Sequence, residues 1–290
     1  MEKIKLNQLI EILSLPTYFG METLVQEYLA NHGKDKGYLT NKDEKGNIYF
    51  TKGSINENEY FPCVCAHIDS VFSEHVELIE QNKRKVVRLG QGKNNKHKLM
   101  AFHPDTGKRT GLAGDDLAGV YICLQMLEHF DNIKAVFFVE EEYGCVGSNN
   151  CDISFFDNVG YVVQFDGPTG NWFTETLSGV KMYNDTFLTK VKPILEKYNI
   201  TNYSDDPYTD ILPLKENFDF CCCNLPTGYH NWHTNEEYVN VNQLEKCIEL
   251  GIEFIKLLDM KKYQYDKPFC GSFSSIFNSL NNKKFYKSND

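Results

Sequence analysis

No run of about 18 apolar residues occurs in the sequence, so no stretch is long enough to cross a bilayer as a helix. No Cys-x-x-Cys pair occurs either, which argues against a zinc knuckle or an iron–sulfur site. Nothing resembles a linker rich in Pro, Gly or Ser, and no internal repeat is visible. Positive charge is in deficit: 30 Lys and Arg face 40 Asp and Glu, a formal net charge of -10. Without a long positive stripe, the chain is not expected to bind nucleic-acid backbone in general. The opening MEKIKLNQLIEILSLP lacks the marks of a signal peptide. Asn7 and Glu11 interrupt its apolar residues and no small-residue cleavage site follows, so it is expected to be a mature helix.

What is present fits a globular α/β protein. Apolar residues make up 41% and charged residues 24% of the 290 positions, enough for one large domain or two small ones. Several of the ten cysteines lie in apolar runs such as FPCVCAHID and FDFCCCNLP. Adjacent Cys221, Cys222 and Cys223 cannot all pair conveniently from one strand. Buried thiols in a reducing cytoplasm are expected, not a disulfide scaffold.

Helical periodicity covers Leu6 to Leu13 and ends at Pro16. A second helix is predicted from Met21 to Asn31, with Gly33 as its stop. GYLTNKDEKGNIYFTKG is predicted as a hairpin turning at Lys45-Gly46-Asn47. Buried strands are predicted at Tyr60–Ala66, Ile133–Val139, Gly160–Phe165 and from Phe218 onward. Across 71–109, short strand-like pieces alternate with the basic, Asn-rich turn GQGKNNKHK. Helices are predicted at about Leu117–Phe130, 184–197 and Gln243–Leu258. This alternation predicts a largely parallel central sheet, with sites beyond the carboxyl ends of its strands.

Polar clusters fall at those ends: His67 and Asp69, Asp115 and Asp116, Glu141 and Glu142, and Asp166. A pair of histidines, His230 and His233, follows in YHNWHTNEEYV. Each has an ordinary reading. An Asp before a helix is often an N-cap, and a run of Glu suits a helix start. Together they are harder to dismiss, because converging carboxylates repel and require shared protons or a cation. Mixed His, Asp and Glu donors suit zinc, with cobalt or manganese as alternatives.

In this order the motifs resemble the zinc exopeptidases with a co-catalytic metal pair, the group containing bacterial leucyl-type aminopeptidases and peptidase T. The matching residues are His67-Ile68-Asp69, Gly114-Asp115-Asp116 followed by Gly119, Glu141-Glu142-Tyr143-Gly144-Cys145-Val146-Gly147, Asp166-Gly167, and His233 four positions before Glu237. The likeness runs from residue 1 to about 260. Ala113 stands where relatives often carry Gly.

The resemblance implies a three-layer α/β/α zinc-exopeptidase (phosphorylase/hydrolase-like) fold with a mostly parallel central sheet. It implies two Zn2+ (or Co2+ or Mn2+) bound by His67, Asp115, Glu142, Asp166 and His233, with Asp115 bridging. Glu141 becomes the general base, and Asp69 completes the catalytic set by orienting His67. Asp116, Glu237, Tyr229 and His230 are candidates for supporting or substrate-side roles. The interval from Asp166 to His233 fits one strand-helix-strand unit but no lid of roughly 100 residues. A single catalytic domain over 1–290 is therefore expected, with 261–290 as a C-terminal extension. Asp at position 166 accompanies aminopeptidases in these families. The implied activity is removal of N-terminal residues from short peptides, by a protein free of nucleic acid and membrane and with a homo-oligomer left open. The alternatives are an N-acyl amino acid deacylase, a carboxypeptidase, a glutaminyl-cyclase-like enzyme or a non-catalytic peptide-binding homologue.

Overall fold

The computed structural model describes residues 5–206 and 208–265. Helix α1 (Leu6–Leu13) and helix α2 (Thr23–Lys36) lead into a hairpin of β1 (Leu39–Lys42) and β2 (Ile48–Lys52). Strand β3 (Phe61–His67) follows, then a short α3 (His75–Glu80) and strands β4 (Val86–Leu89), β5 (Lys98–Phe102) and β6 (Arg109–Thr110). Helix α4 (Gly114–His129) connects to β7 (Ile133–Phe138), the short α5 (Val146–Asn149), a 3-10 turn and β8 (Val159–Gly167). Next come β9 (Trp172–Leu177), β10 (Val180–Lys181), α6 (Asp185–Lys197), β11 (Asn202–Asp206) and α7 (Ile211–Asn217). The chain then forms β12 (Cys221–Pro226), β13 (Tyr229–His230), β14 (Tyr238–Asn240) and α8 (Val241–Leu258).

The main sheet has the order β1-β2-β7-β3-β8-β12. Strands β7, β3, β8 and β12 run parallel, while β2 and β1 are antiparallel additions. Every residue of β3, β7 and β12 is buried, as expected for parallel strands covered on both faces. Helix α4 packs on β3, β7 and β8 and is itself covered by α1 and α8. A smaller antiparallel sheet runs β13-β14-β5-β4, with β6 on β5, and a third joins β10, β9 and β11. The architecture is α/β with mixed sheets. No helix among the described residues is long and apolar enough to cross a membrane.

Three local expectations change. Gly33 does not stop α2; the helix runs on to Lys36 and ends at Gly37, whose φ of 71° closes it in the left-handed region. Gly33 is there for closeness, since a Cβ at that point would meet Thr40 Oγ1 at 2.3 Å and Phe50 Cε1 at 2.6 Å. The segment 71–109 contains α3 as well as strands, and β12 begins at Cys221, later than the predicted Phe218. The hairpin forms as predicted, with Lys42 opposite Ile48.

All nine described cysteines are free thiols, eight of them buried and Cys151 half-buried. Of the expected C-terminal extension, 261–265 lies along β8 and the start of β12: Tyr263 N donates to Gly160 O (3.0 Å) and Cys221 N to Tyr263 O (2.8 Å). The remainder, 266–290, lies outside the described residues.

Candidate metal centre

Three neighbouring parallel strands deliver the first donors. β3 ends at His67. β7 ends at Phe138, and its continuation turns through Glu140 (φ 52°) to present Glu141 and Glu142. β8 carries Asp166 beside its last residue. Because β3 lies between β7 and β8, these ends converge. Asp115 comes from the first turn of α4, where Asp115 and Asp116 depart from helical geometry. That turn lies very close to β8: a Cβ on Gly119 would sit 1.9 Å from Phe165 O and 2.3 Å from Asp116 Oδ1. A glycine there is a steric requirement. His233 arrives from the loop between β13 and β14, with φ of 59°.

The five expected ligands meet. His67 Nε2 lies 3.1 Å from Asp115 Oδ1 and 3.6 Å from Asp166 Oδ1. His233 Nε2 lies 2.8 Å from Glu142 Oε1 and 3.4 Å from Asp115 Oδ2. Asp115 thus turns one oxygen to each histidine. Two donor groups result, His67–Asp115–Asp166 and Asp115–Glu142–His233, each with its donor atoms within 4.8 Å of one another. A third grouping, His67–Glu141–Glu142, meets the same limit and brings Glu141 against the pair. His67 is 1% exposed, whereas the His233 side chain is 44% exposed.

Asp69 is fully buried and has three partners. Its Oδ1 faces His67 Nδ1 (3.2 Å) and accepts from Glu141 N (3.0 Å), while Oδ2 accepts from Glu142 N (3.0 Å). It therefore aligns a donor histidine and the glutamate turn together. Asp116 accepts from His67 N (3.3 Å) and Gly119 N (3.1 Å), which ties β3 to α4. Tyr229 is buried and donates to Asp166 O (2.9 Å). His230 points away from the donor groups: it bonds Gln243 Oε1 (2.5 Å) and stacks on Tyr238 at 4.8 Å. Glu237 Oε1 accepts from Asp115 N (2.9 Å).

The electrostatics of this cluster make it capable of holding a cation. Among the described residues, no Lys or Arg comes within ion-pairing distance of Asp115, Glu141, Glu142 or Asp166; only the two histidines do. Burial pushes the Asp166 carboxyl up to about 6 and raises Glu142 and, still more, Glu141 and Asp116. Burial also opposes ionisation of Asp115, but hydrogen bonds to His233 and His67 outweigh it and hold that carboxyl low. Hydrogen bonds to Asp115 first and then to Glu142 raise His233 to about 10. Without a cation the cluster recruits protons to limit its repulsion. Borderline nitrogen donors with shared carboxylates fit one or two zinc-like ions, which would displace those protons.

In the sequence Thr209-Asp210 resembles only a loop near the sheet edge of these families, and Gln164, Asn224 and Cys145 carry no assigned role. Thr209 donates to Asp166 Oδ2 (2.9 Å) and accepts from Gln164 Nε2 (2.8 Å). Asn224 Oδ1 accepts from Asp166 N (2.9 Å). Asp210 is buried, and among the described residues neither of its oxygens has a hydrogen-bond partner. Ser148 approaches it but donates instead to Cys145 O (3.2 Å). Burial raises the Asp210 carboxyl to about 7. Cys145 Sγ stands 3.7 Å from Glu141 Oε1. Polar residues inside apolar strands (Gln164 and Asn224) were the available signal.

No protein-family model matches the chain, and no curated protein matches it by sequence. Solved structures do resemble it. Aminopeptidase PepT from Bacillus cereus superposes with a TM-score of 0.67 at 14% identity, over 87% of this chain and 97% of that one. A tripeptidase from Staphylococcus aureus gives 0.64 at 13%, over 87% and 97%. An aminopeptidase from the archaeon Desulfurococcus kamchatkensis gives 0.59 at 17%, over 86% and 94%. At these identities the likeness is one of fold: an α/β fold with mixed sheets, related to known peptidase folds.

Proposed function

We propose that this protein is a metal-dependent aminopeptidase that removes the N-terminal residue of short peptides. On this reading it is a single catalytic domain over 1–290, of the three-layer α/β/α exopeptidase type and without a lid, in a reducing cytoplasm. The observation that carries the reading is the pair of donor groups sharing Asp115, with Glu141 against them. The likeness in fold to proteins described as aminopeptidases and a tripeptidase supports it by association.

His67, Asp115 and Asp166 would hold one ion, and Asp115, Glu142 and His233 the other, zinc being the first choice and cobalt or manganese alternatives. When bound, such a pair supplies an activated water and positive charge for the developing oxyanion. Glu141 accepts a proton at its carboxylate and returns it to the leaving amine. Its burial among Asp166, Asp210 and Glu142 raises its proton affinity, which suits that task. Asp69 fixes both the His67 ring and the backbone of Glu141, so the base and a donor share one anchor.

The decisive experiment combines metal analysis with hydrolysis of free-amine, N-blocked and C-terminal peptide substrates. Metal uptake with cleavage of free-amine peptides is expected. Cleavage confined to N-blocked amides would reassign the site to a deacylase, and cyclisation of N-terminal glutamine with a single ion would reassign it to a cyclase. A protein that takes up no zinc and hydrolyses nothing would end the proposal.

A further inference from the structure

Arg109 has no part in the chemistry above, yet it reaches into the loop that carries His233. It lies on β6, in the segment that continues through Leu112 and Gly114 to Asp115. Its Nε donates to Asn235 O (3.2 Å) and its Nη2 to Glu237 O (3.0 Å). The His233 loop holds Asp115 in return, through the Glu237 carboxylate on Asp115 N (2.9 Å). Each segment therefore grips the backbone of the other with a side chain. The guanidinium is backed by the Phe102 ring, 5.7 Å away, which carries Arg88 at 4.9 Å. Lys85 Nζ holds Leu112 O (2.6 Å) on the same segment.

This arrangement bears on the two donor groups unequally. His67 and Asp166 are held by strand ends in the sheet, but His233 hangs on a half-exposed loop with left-handed backbone geometry. A ligand on such a loop binds well only if the loop is restrained before the ion arrives. We propose that Arg109 is a positioning residue that fixes His233 relative to Asp115, and so sets the affinity of the Asp115–Glu142–His233 group for a divalent cation. The His67–Asp115–Asp166 group depends on it far less, because two of its three donors are fixed by strand ends. This inference rests on the reading of the site as a metal pair.

The test is titration of the metal-free full chain with Co2+, followed by visible absorption and calorimetry. The wild type should bind two equivalents. In R109Q the first should bind nearly as in the wild type and the second roughly 10–100-fold more weakly, the usual effect of losing a residue that orients a ligand. R109K keeps the charge over Phe102 but cannot span two carbonyls, so it should fall between, and it carries the test if R109Q does not fold. H233A should lose the second equivalent outright. Wild-type affinity for both equivalents in R109Q and R109K overturns the proposal, as does equal weakening of both. A wild-type chain that binds no Co2+ defeats the metal reading itself, and the role of Arg109 with it.

Discussion

Replacing Asp69 by asparagine changes one atom at the point where a donor histidine and the glutamate turn are tied together. With the amide oxygen in the place of Oδ1, the bonds to His67 Nδ1 and Glu141 N survive. The NH2 group then faces Glu142 N–H, which now donates to Oδ2 at 3.0 Å. Two buried donors oppose each other, at a cost of about 1–3 kcal/mol. The flipped amide is worse, because it opposes His67 Nδ1 and Glu141 N together. The ring can relieve that only by moving its proton to Nε2, the nitrogen that faces Asp115 and Asp166, and so giving up its donor lone pair. D69N should therefore lose about 1–3 kcal/mol of apo-protein stability in urea unfolding. It should also lose roughly 10–100-fold in metal affinity, or about 1.4–2.7 kcal/mol. D69A, which surrenders all three bonds, should lose more on both counts. If D69N unfolds at the wild-type urea midpoint and titrates with Zn2+ like the wild type, the anchoring argument is wrong.

E141Q should keep its metal content but lose about 10²–10⁴-fold in kcat, the usual worth of a general base; turnover near that of the wild type would remove Glu141 from the role. G119A places a methyl group on Phe165 O and should lower the unfolding free energy by about 1–3 kcal/mol in thermal or urea melts, with an unchanged midpoint counting against the close approach. Glu22 is pushed up to about 7, first by burial and then by Asp69 and Glu140 despite a bond from Gly20 N. Its folded value lies above its unfolded one, so the native state holds the extra proton, and stability falls as pH rises from about 4.5 to 7. E22Q retains the Gly20 bond; it should match the wild type below pH 4.5 and exceed it by up to about 3 kcal/mol above pH 7, and a difference independent of pH would refute the assignment.

The sheet was legible because fully buried parallel strands leave continuous apolar runs, as in FPCVCAH and IKAVFF. The donor set was legible for a related reason: His67, Glu141, Glu142 and Asp166 lie within a few positions of those runs. What the sequence hid was long-range and backbone-directed. Arg109 meets the backbone of Asn235 and Glu237, and a contact to carbonyls leaves no trace in the identity of the residues that own them. Gly33 was misread because a glycine required for closeness to Phe50 looks the same as one required for a turn. Tyr229 and His230 are adjacent in sequence, yet strand alternation sends one to Asp166 and the other to Gln243.

The pairing of His233 with Glu142 spans 91 positions, and that of His67 with Asp115 spans 48. Neither donor group fits in a short fragment: one waits on the docking of β3, α4 and β8, the other on α4, the turn after β7 and the β13–β14 loop. Contacts of such separation form late, after the entropy of closing long loops has been met. Metal capture should accordingly trail the appearance of secondary structure during refolding. A bound pair of ions would then act as a certificate of completed topology, silent until both donor groups have formed.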